Sequence, residues 1–409
     1  VEVAGAPKVT RPGRALAWIC AGHTLSHFWL LTLPPLFPAV AEFDIIFVQL
    51  GVLVTLYQLT NGLFQVPSGY LADRYGAKPV LVGGLLTNGT AFALYGLAPN
   101  YAVLLVLALV AGVGQSVFHP ADYSLLSSAF SKERSGKPYS LHTFSGYAGS
   151  AVAPITVAVL YAALGWEWAF AAAGLAGMIL ALLVSLCLEA PRPVPQPEKV
   201  TREGGTGSGN SSLFLSQALL LMFAFYVFTS TASSGIQAFE PSSLAQIYEM
   251  PLSLANVALT VYLATLSFGI LLGGLVADRV KSNHAHVVGV MFTGGTLLML
   301  LLAVARPPVW LLFPILAVAG AFHGVIMPSR DKMVREATPE GKAGRRFGFV
   351  STGLSLGVMA VPPIPGFAMD SGRPGLVFWA VAGFMLVAVL TTFTPRHGLR
   401  WRPKGRVSG

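Results

Sequence analysis

Long apolar runs, separated by short polar breaks, alternate along almost the entire chain. Twelve of these runs reach the length of about 20 residues that a helix needs to cross a bilayer. They cover 15–40, 47–71, 79–98, 102–128, 138–164 and 168–188, then 213–239, 253–277, 285–305, 309–329, 347–369 and 375–394. Lipid offers backbone N–H and C=O groups no partner, so the pattern predicts twelve transmembrane helices. A membrane barrel would instead show alternating segments of about ten residues. Lys8, Arg11 and Arg14 precede the first run and Ala39-Val40-Ala41 follows it, as in a secretory signal. Its length, its histidines at His23 and His27, and Pro34, Pro35 and Pro38 read instead as a retained span with a broken outer end.

The polar breaks carry as much information as the runs. The longest, 189–212, is rich in Pro, Gly and Ser and reads as a cytoplasmic linker. It divides the chain into an N-terminal six-helix half (1–188) and a C-terminal six-helix half (213–394), followed by a basic cytoplasmic tail (395–409). With the N-terminus inside, all but Arg306 and Arg373 of the 26 lysines and arginines fall on the cytoplasmic side. Both termini are therefore predicted cytoplasmic, in a multi-pass protein of the inner (plasma) membrane.

The halves repeat each other. Gly69-Tyr-Leu-Ala-Asp73-Arg74 matches Gly274-Leu-Val-Ala-Asp278-Arg279, and Thr55 and Tyr57 match Thr260 and Tyr262 at the same offset. At a slightly longer offset, Gly112, Val117, Pro120, Gly136, Gly149 and Pro154 match Gly320, Val325, Pro328, Gly344, Gly357 and Pro362. A run of Gly and Pro matches in one register indicates duplication. Two facing halves with a midplane site are a transporter architecture.

Composition agrees with the pattern. Hydrophobic residues are 54% of the chain and charged residues 11%, against about 25% charged in a soluble domain. The net charge of +9 would suggest nucleic acid in a soluble protein; here it follows membrane topology, and no nucleic-acid partner is expected. Cys20 and Cys187 lie within apolar runs and form neither a disulfide framework nor a metal spacing. No G-x-x-x-x-G-K-[ST] loop is present, so ATP is not the expected energy source, and the Gly-rich stretch 204–209 follows no strand. There is no H-E-x-x-H, and His284-x-His286 alone makes no metal site. No enzymatic activity, cofactor or metal is expected.

The stretch from Gly69 through Asp73, Arg74 and Gly76 to Lys78 resembles the G-x-x-x-D-R-x-G-R-K loop motif of the major facilitator superfamily, with Ala77 at one basic position. Together with the spans, the linker and the echo at Gly274, Asp278 and Arg279, the resemblance covers the whole chain. Phe118-His119-Pro120, and the run from Gly136 through His142 and Gly146 to Pro154, are similar to bacterial efflux proteins of the fosmidomycin-resistance type. His23 and the Gln65-x-x-x-Gly69 run fit that group too. The resemblance implies an all-α fold of two pseudo-symmetric six-helix halves. It also implies secondary active transport by alternating access, with proton-driven efflux of a small organic molecule or drug by a monomer in the bilayer. Two alternatives remain open: a carrier of organic anions of carboxylate or phosphonate type, and a receptor or scaffold without transport, which would need no duplicated gate.

Ionisable residues inside spans are expensive and usually functional. Asp122 lies three residues after His119, on the same helical face. Arg330, its repeat equivalent, and Asp331 lie toward the inner end of the tenth span. Asp122 and Arg330 could pair across the halves, hold an anionic substrate, or sit solvated at the interface. His23 and His27 in the first span, His119 in the fourth, His142 in the fifth and His323 in the tenth are candidate proton carriers or packed neutral side chains. In the superfamily, helices 1, 4, 7 and 10 line the cavity, which favours four of the five over His142. Gln237 and Glu240 lie in the seventh span, Glu240 as a gate, a proton site or an exposed residue. Gln58, Asn61 and Gln65 could line a polar path or, the preferred reading, hydrogen-bond between helices. Gly69 is small enough for close helix approach, and Asp73, Arg74 and Lys78 form the expected inner gate.

Overall fold

The computed structural model describes residues 11–37, 45–130, 136–189, 217–280, 284–336, 352–359 and 363–393. These residues are overwhelmingly helical, and none of them forms a strand. In chain order the helices are α1 (Pro12–Leu30), α2 (Phe47–Tyr75), α3 (Ala77–Tyr95), α4 (Tyr101–Gln115), α5 (Phe118–Ala129), α6 (Gly136–Leu164) and α7 (Trp166–Cys187). They continue with α8 (Gln217–Tyr248), α9 (Leu252–Arg279), α10 (His284–Ala305) and α11 (Val309–Glu336). The last are α12 (352–359), α13 (Pro363–Asp370) and α14 (Leu376–Phe393). Among the described residues, nine helical segments are long and apolar enough to cross a membrane, and Leu376–Thr392 is a shorter apolar helix. Linker residues 190–212 and the tail 395–409 lie outside the described residues.

Prolines explain most departures from the expected spans. The first span stops at Leu30, and a 3-10 turn over Pro34–Leu36 follows, as the outer prolines require. The fourth crossing is two helices, because Pro120 has no N–H to give the carbonyl of Ser116. The amide of Ser116 closes the first of them onto Gly112 and Val113. The seventh span runs beyond its expected end at 239 as far as Tyr248, with Pro241 inside the helix. Helix α6 likewise runs through Pro154.

Apolar side chains form two cores. One is built mainly from α1–α7, around Trp29, Leu50, Leu81, Phe118 and Phe170. The other is built mainly from α8–α14, around Tyr226, Leu259, Phe292, Leu316 and Phe378. Many large apolar side chains, among them Val66, Leu186, Val304 and Trp310, face outward, as lipid contact requires.

The sequence repeat reappears as a repeated contact. A Cβ at Gly112 would overlap the carbonyl oxygen of Tyr57 and the hydroxyl of Thr60, and one at Gly320 would overlap the carbonyl oxygen of Tyr262. Thr60 bonds back to the carbonyls of Leu56 and Tyr57, and Thr265 to those of Val261 and Tyr262. The close approach expected at Gly69 is absent: a Cβ there would make an ordinary 3.8 Å contact with Pro120, and one at Gly274 would meet nothing within 4 Å. In the N-terminal half the tight crossing lies away from the loop motif, whereas in the C-terminal half it extends to Gly273, one residue before the motif, where a Cβ would overlap the backbone of Val325.

The two halves pack against each other through α6 and α9, where the Phe144 and Phe268 rings lie 6.4 Å apart, and further contacts join them at one end. The carboxylate of Asp370, at the end of α13, accepts from the amides of Phe47 (2.7 Å) and Val48 (2.9 Å) at the start of α2. It satisfies two of the amides that a helix N-terminus leaves without partners. Nearby, the Thr55 hydroxyl donates to the carbonyl of Met359, and the Phe37 and Phe239 rings meet edge to face at 5.2 Å. At the opposite end, Asp73 and Arg74 are exposed and make no ion pair among the described residues. Arg74 lies over the ring of Tyr75, and Asp278 pairs with Lys332 at 2.8 Å, tying α9 to α11 within one half. The expected pairing of the motif across the inner face is therefore not formed among the described residues.

Gly112→Ala should destabilise the purified protein by about 1–3 kcal/mol, the usual range for overpacking, whereas Gly274→Ala should leave its melting temperature unchanged. Thermal unfolding in detergent measures both.

Candidate functional site

The glycines of α6 set the geometry of the site. A Cβ at Gly146 would lie 2.7 Å from Nε2 of His23 and 2.9 Å from Cδ2 of His27, and one at Gly149 would overlap the carbonyl of Thr24. Only glycine lets α1 lie this close to α6. The Thr24 hydroxyl then donates to the carbonyl of Ser145 (3.0 Å), and His27 Nδ1 meets the hydroxyl of Ser150 at 3.3 Å.

This approach brings four histidines and one acid together. The Asp122 side chain, 0% exposed, comes from α5. Its Oδ2 lies 3.0 Å from Nε2 of His142 on α6, in hydrogen-bond geometry. The same oxygen is 3.2 Å from Nδ1 of His23 on α1, within ion-pair distance but out of hydrogen-bond alignment. The rings of His23 and His142 stack at 3.7 Å and 21°. His27 and His119 stand against His23 at centroid distances of 4.7 and 5.3 Å. Tyr123 stacks on His119 and on Tyr139.

The spacing of His119 and Asp122 suggested a pair on one helix face. Among the described residues Asp122 instead pairs with His23 and His142, on two other helices. It does not reach Arg330 in an ion pair, and its burial removes the reading of a solvated interface residue. His142, which the helix numbering disfavoured, is the closest partner of the acid. Its position among the glycines of the fifth span was the one available signal, and nothing local in the sequence ties it to Asp122.

Between the halves lies a cavity of about 520 Å³. His27, Gln58, Asn61, Gln65, His119, Tyr123 and Tyr147 line it from one half. From the other come Thr229, Ser230, Ser233, Ser234, Gln237, His323, Met327, Arg330, Leu354, Ser355 and Val358. Among these lining residues are one arginine and three histidines, and no carboxylate. The Arg330 guanidinium lies 4.5 Å from the centroid of the Tyr226 ring, and Nδ1 of His323 is 2.6 Å from the hydroxyl of Tyr262. Gln58, Asn61 and Gln65 face the cavity, and Asn61 donates to Gln58 on its own helix rather than between helices.

The sequence candidates therefore separate into groups. His27, His119, Gln237, His323 and Arg330 line the cavity, and His23 and Asp122 stand behind its wall. Glu240 is fully buried and lies outside the cavity lining. The side chain of Asp331 lies outside the described residues. The ligand atoms of His23, Asp122 and His142 fall within 4.8 Å of one another, near enough for one metal ion. The near-parallel stacking of the two imidazoles suits sharing of a carboxylate better than tetrahedral coordination.

Comparison with known proteins fits this architecture. The family model described as Major Facilitator Superfamily matches residues 19–242 and 222–408. The fosmidomycin resistance protein of Escherichia coli (strain K12) is 27% identical, the match covering 97% of each chain. The inner membrane transport protein YajR of the same organism is 26% identical over 84% of this chain and 74% of its own. The crystal structure of a bacterial homologue of the human lysosomal transporter Spinster superposes with a TM-score of 0.76 at 15% identity, covering 94% of this chain and 95% of the other. With its all-helical fold, its central cavity and family matches that span nearly its whole length, the chain is a multi-pass membrane transporter that belongs to the major facilitator superfamily.

Proposed function

We propose that the protein exports a small organic anion in exchange for protons, by alternating access. One observation carries this reading: the cavity is lined by Arg330 and three histidines, has no acid among its described lining residues, and backs onto the buried Asp122 group. Arg330, on one half, takes the acidic group of the cargo. Neutral His27 and His119, on the other half, each offer one ring nitrogen as an acceptor to the cargo's donors. Protons entering the His23–Asp122–His142 group and its neighbours remove those acceptors from the cargo's donors, and exchange requires that this loss outweigh the attraction of the added positive charge for the anion. The resistance function named for the Escherichia coli relative is consistent with efflux of this kind.

The distribution of basic residues supports a cytoplasmic location for both termini. The Asp370 end is then the outer face, closed here, and the cavity faces inward. The site of action is the inner membrane, and the two six-helix halves (1–188 and 213–394) rock about the cavity as a monomer.

Reconstituted in liposomes with an imposed proton gradient, the protein should move fosmidomycin, and Asp122→Asn should reduce the gradient-driven flux by about tenfold or more. Cargo affinity should fall on acidification; a rise would mean that proton and cargo travel together and would exclude exchange. Arg330→Ala should weaken binding of fosmidomycin by about ten- to hundredfold, as loss of a charged hydrogen bond does, and should spare uncharged ligands. Calorimetric titration reads both affinities.

The Asp370 contact yields a separate expectation. Asp370→Ala removes a helix cap worth about 1–2 kcal/mol from the closed end. The population open at that end should rise about tenfold, as measured by distances between spin labels across it.

A further inference from the structure

Glu240 is not explained by the exchange reaction at the cavity. It is 0% exposed, and neither carboxyl oxygen has a hydrogen-bond partner among the described residues. It lies outside the cavity lining, beside the Phe239 ring that closes on Phe37 of the other half. Pro241 follows it and cannot donate to the carbonyl of Gln237, so α8 lacks a backbone bond at this point. On α9, Asn256 and Thr260 also hold a buried oxygen without a partner. Polar groups hidden without partners are costly in a state that lasts. They are tolerable in a protein that buries them in one state of its cycle and wets them in the next.

Among the described residues, no cation on the elements packed against this part of α8 stands against Glu240; Arg373, beside the Pro374 carbonyl that Ser243 bonds, is exposed. Helix α14, which packs along α8, has no ionisable residue. The 3-10 turn over Pro34–Leu36 has none. Helix α9, which packs against α8, contributes the buried Tyr262, whose hydroxyl is engaged with His323. Helix α13 contributes Asp370, whose carboxylate is engaged by Phe47 and Val48. An unpaired, unbonded carboxylate ion in such a place would cost far more than the neutral acid.

We propose that Glu240 is a second proton-binding site, which takes a proton from the aqueous side as the Asp370 end closes over it and releases that proton when this end opens. Closure is thereby proton-linked at the gate, apart from the Asp122 group. The inference deepens the exchange reading, since it adds a proton to the same conformational cycle. Tyr262 joins the two regions: its hydroxyl holds His323, which lines the cavity.

The test uses the full chain in lipid nanodiscs without cargo, with Cys20→Ser and Cys187→Ser to remove the native thiols. Spin labels at Leu97→Cys and Ser371→Cys, both exposed and on opposite halves at the closing end, report its opening by electron–electron double resonance. The wild type should be closed at mildly acidic pH and open progressively as pH rises. One proton allows the ratio to change by at most about tenfold per pH unit. Glu240→Gln, an isosteric neutral side chain, should stay closed throughout. Glu240→Asp, which keeps a carboxyl group, should retain a pH response and controls for folding. Asp122→Asn should open and close with pH as the wild type does, even if it no longer transports. A Glu240→Gln protein with the wild-type pH response overturns the proposal. So does loss of the response in Asp122→Asn alone, which would place the proton switch at the Asp122 group. Neither outcome depends on finding a cargo, so a failed transport assay leaves this measurement decisive.

Discussion

A carboxylate buried within a lipid-embedded bundle must be answered by partners on other helices, and the arrangement of the N-terminal half follows from how Asp122 is answered. Its Oδ2 is shared by imidazoles from α1 and α6, so three helices converge on one oxygen atom. That convergence needs α1 pressed against α6, which the glycines at 146 and 149 permit. The same approach turns His27 toward the cavity, where His119 joins it, and puts the acid directly behind the cavity wall. Replacing an apolar contact here would cost packing; replacing Asp122 would leave two buried imidazoles facing one another at 3.7 Å.

The course of the helices was largely legible in the sequence because lipid imposes one rule on every span. Apolar length places α2, α6, α7, α9 and α10 within a few residues of their observed ends. The rule fails where a local feature overrides composition. Pro120 divides one crossing, which run length alone could not reveal. Pro241 was tolerated inside α8, so the polar stretch after Gln237 continued as helix where the pattern suggested an end. The Gly69 motif illustrates a different limit: its glycine looked like a packing residue, yet α2 is crossed closely at Gly112, and in the other half the close crossings lie at Gly320, Gly324 and Gly273 rather than at Gly274 itself.

The site was legible by residue type and much less by pairing. Ionisable side chains within apolar runs stood out one by one, and His27, His119, His323 and Arg330 do face the cavity. Their partnerships join helices far apart in sequence: His142 to Asp122, and Tyr262 to His323. No spacing along one chain encodes such contacts. The polar residues of α2 show the same thing from the other side, since the 3- and 4-residue spacing of Gln58, Asn61 and Gln65 identifies a common face but not what that face meets.

The charge of the cavity wall has an electrical consequence. In the proposed exchange, a cargo that answers Arg330 leaves the cytoplasm as an anion while protons enter. A membrane that is negative inside favours each of these movements, by about 2.3 kcal/mol per charge for every 100 mV. Voltage alone would then bias the cycle outward even where the two sides differ little in acidity, and the exporter would slow chiefly when the membrane depolarises.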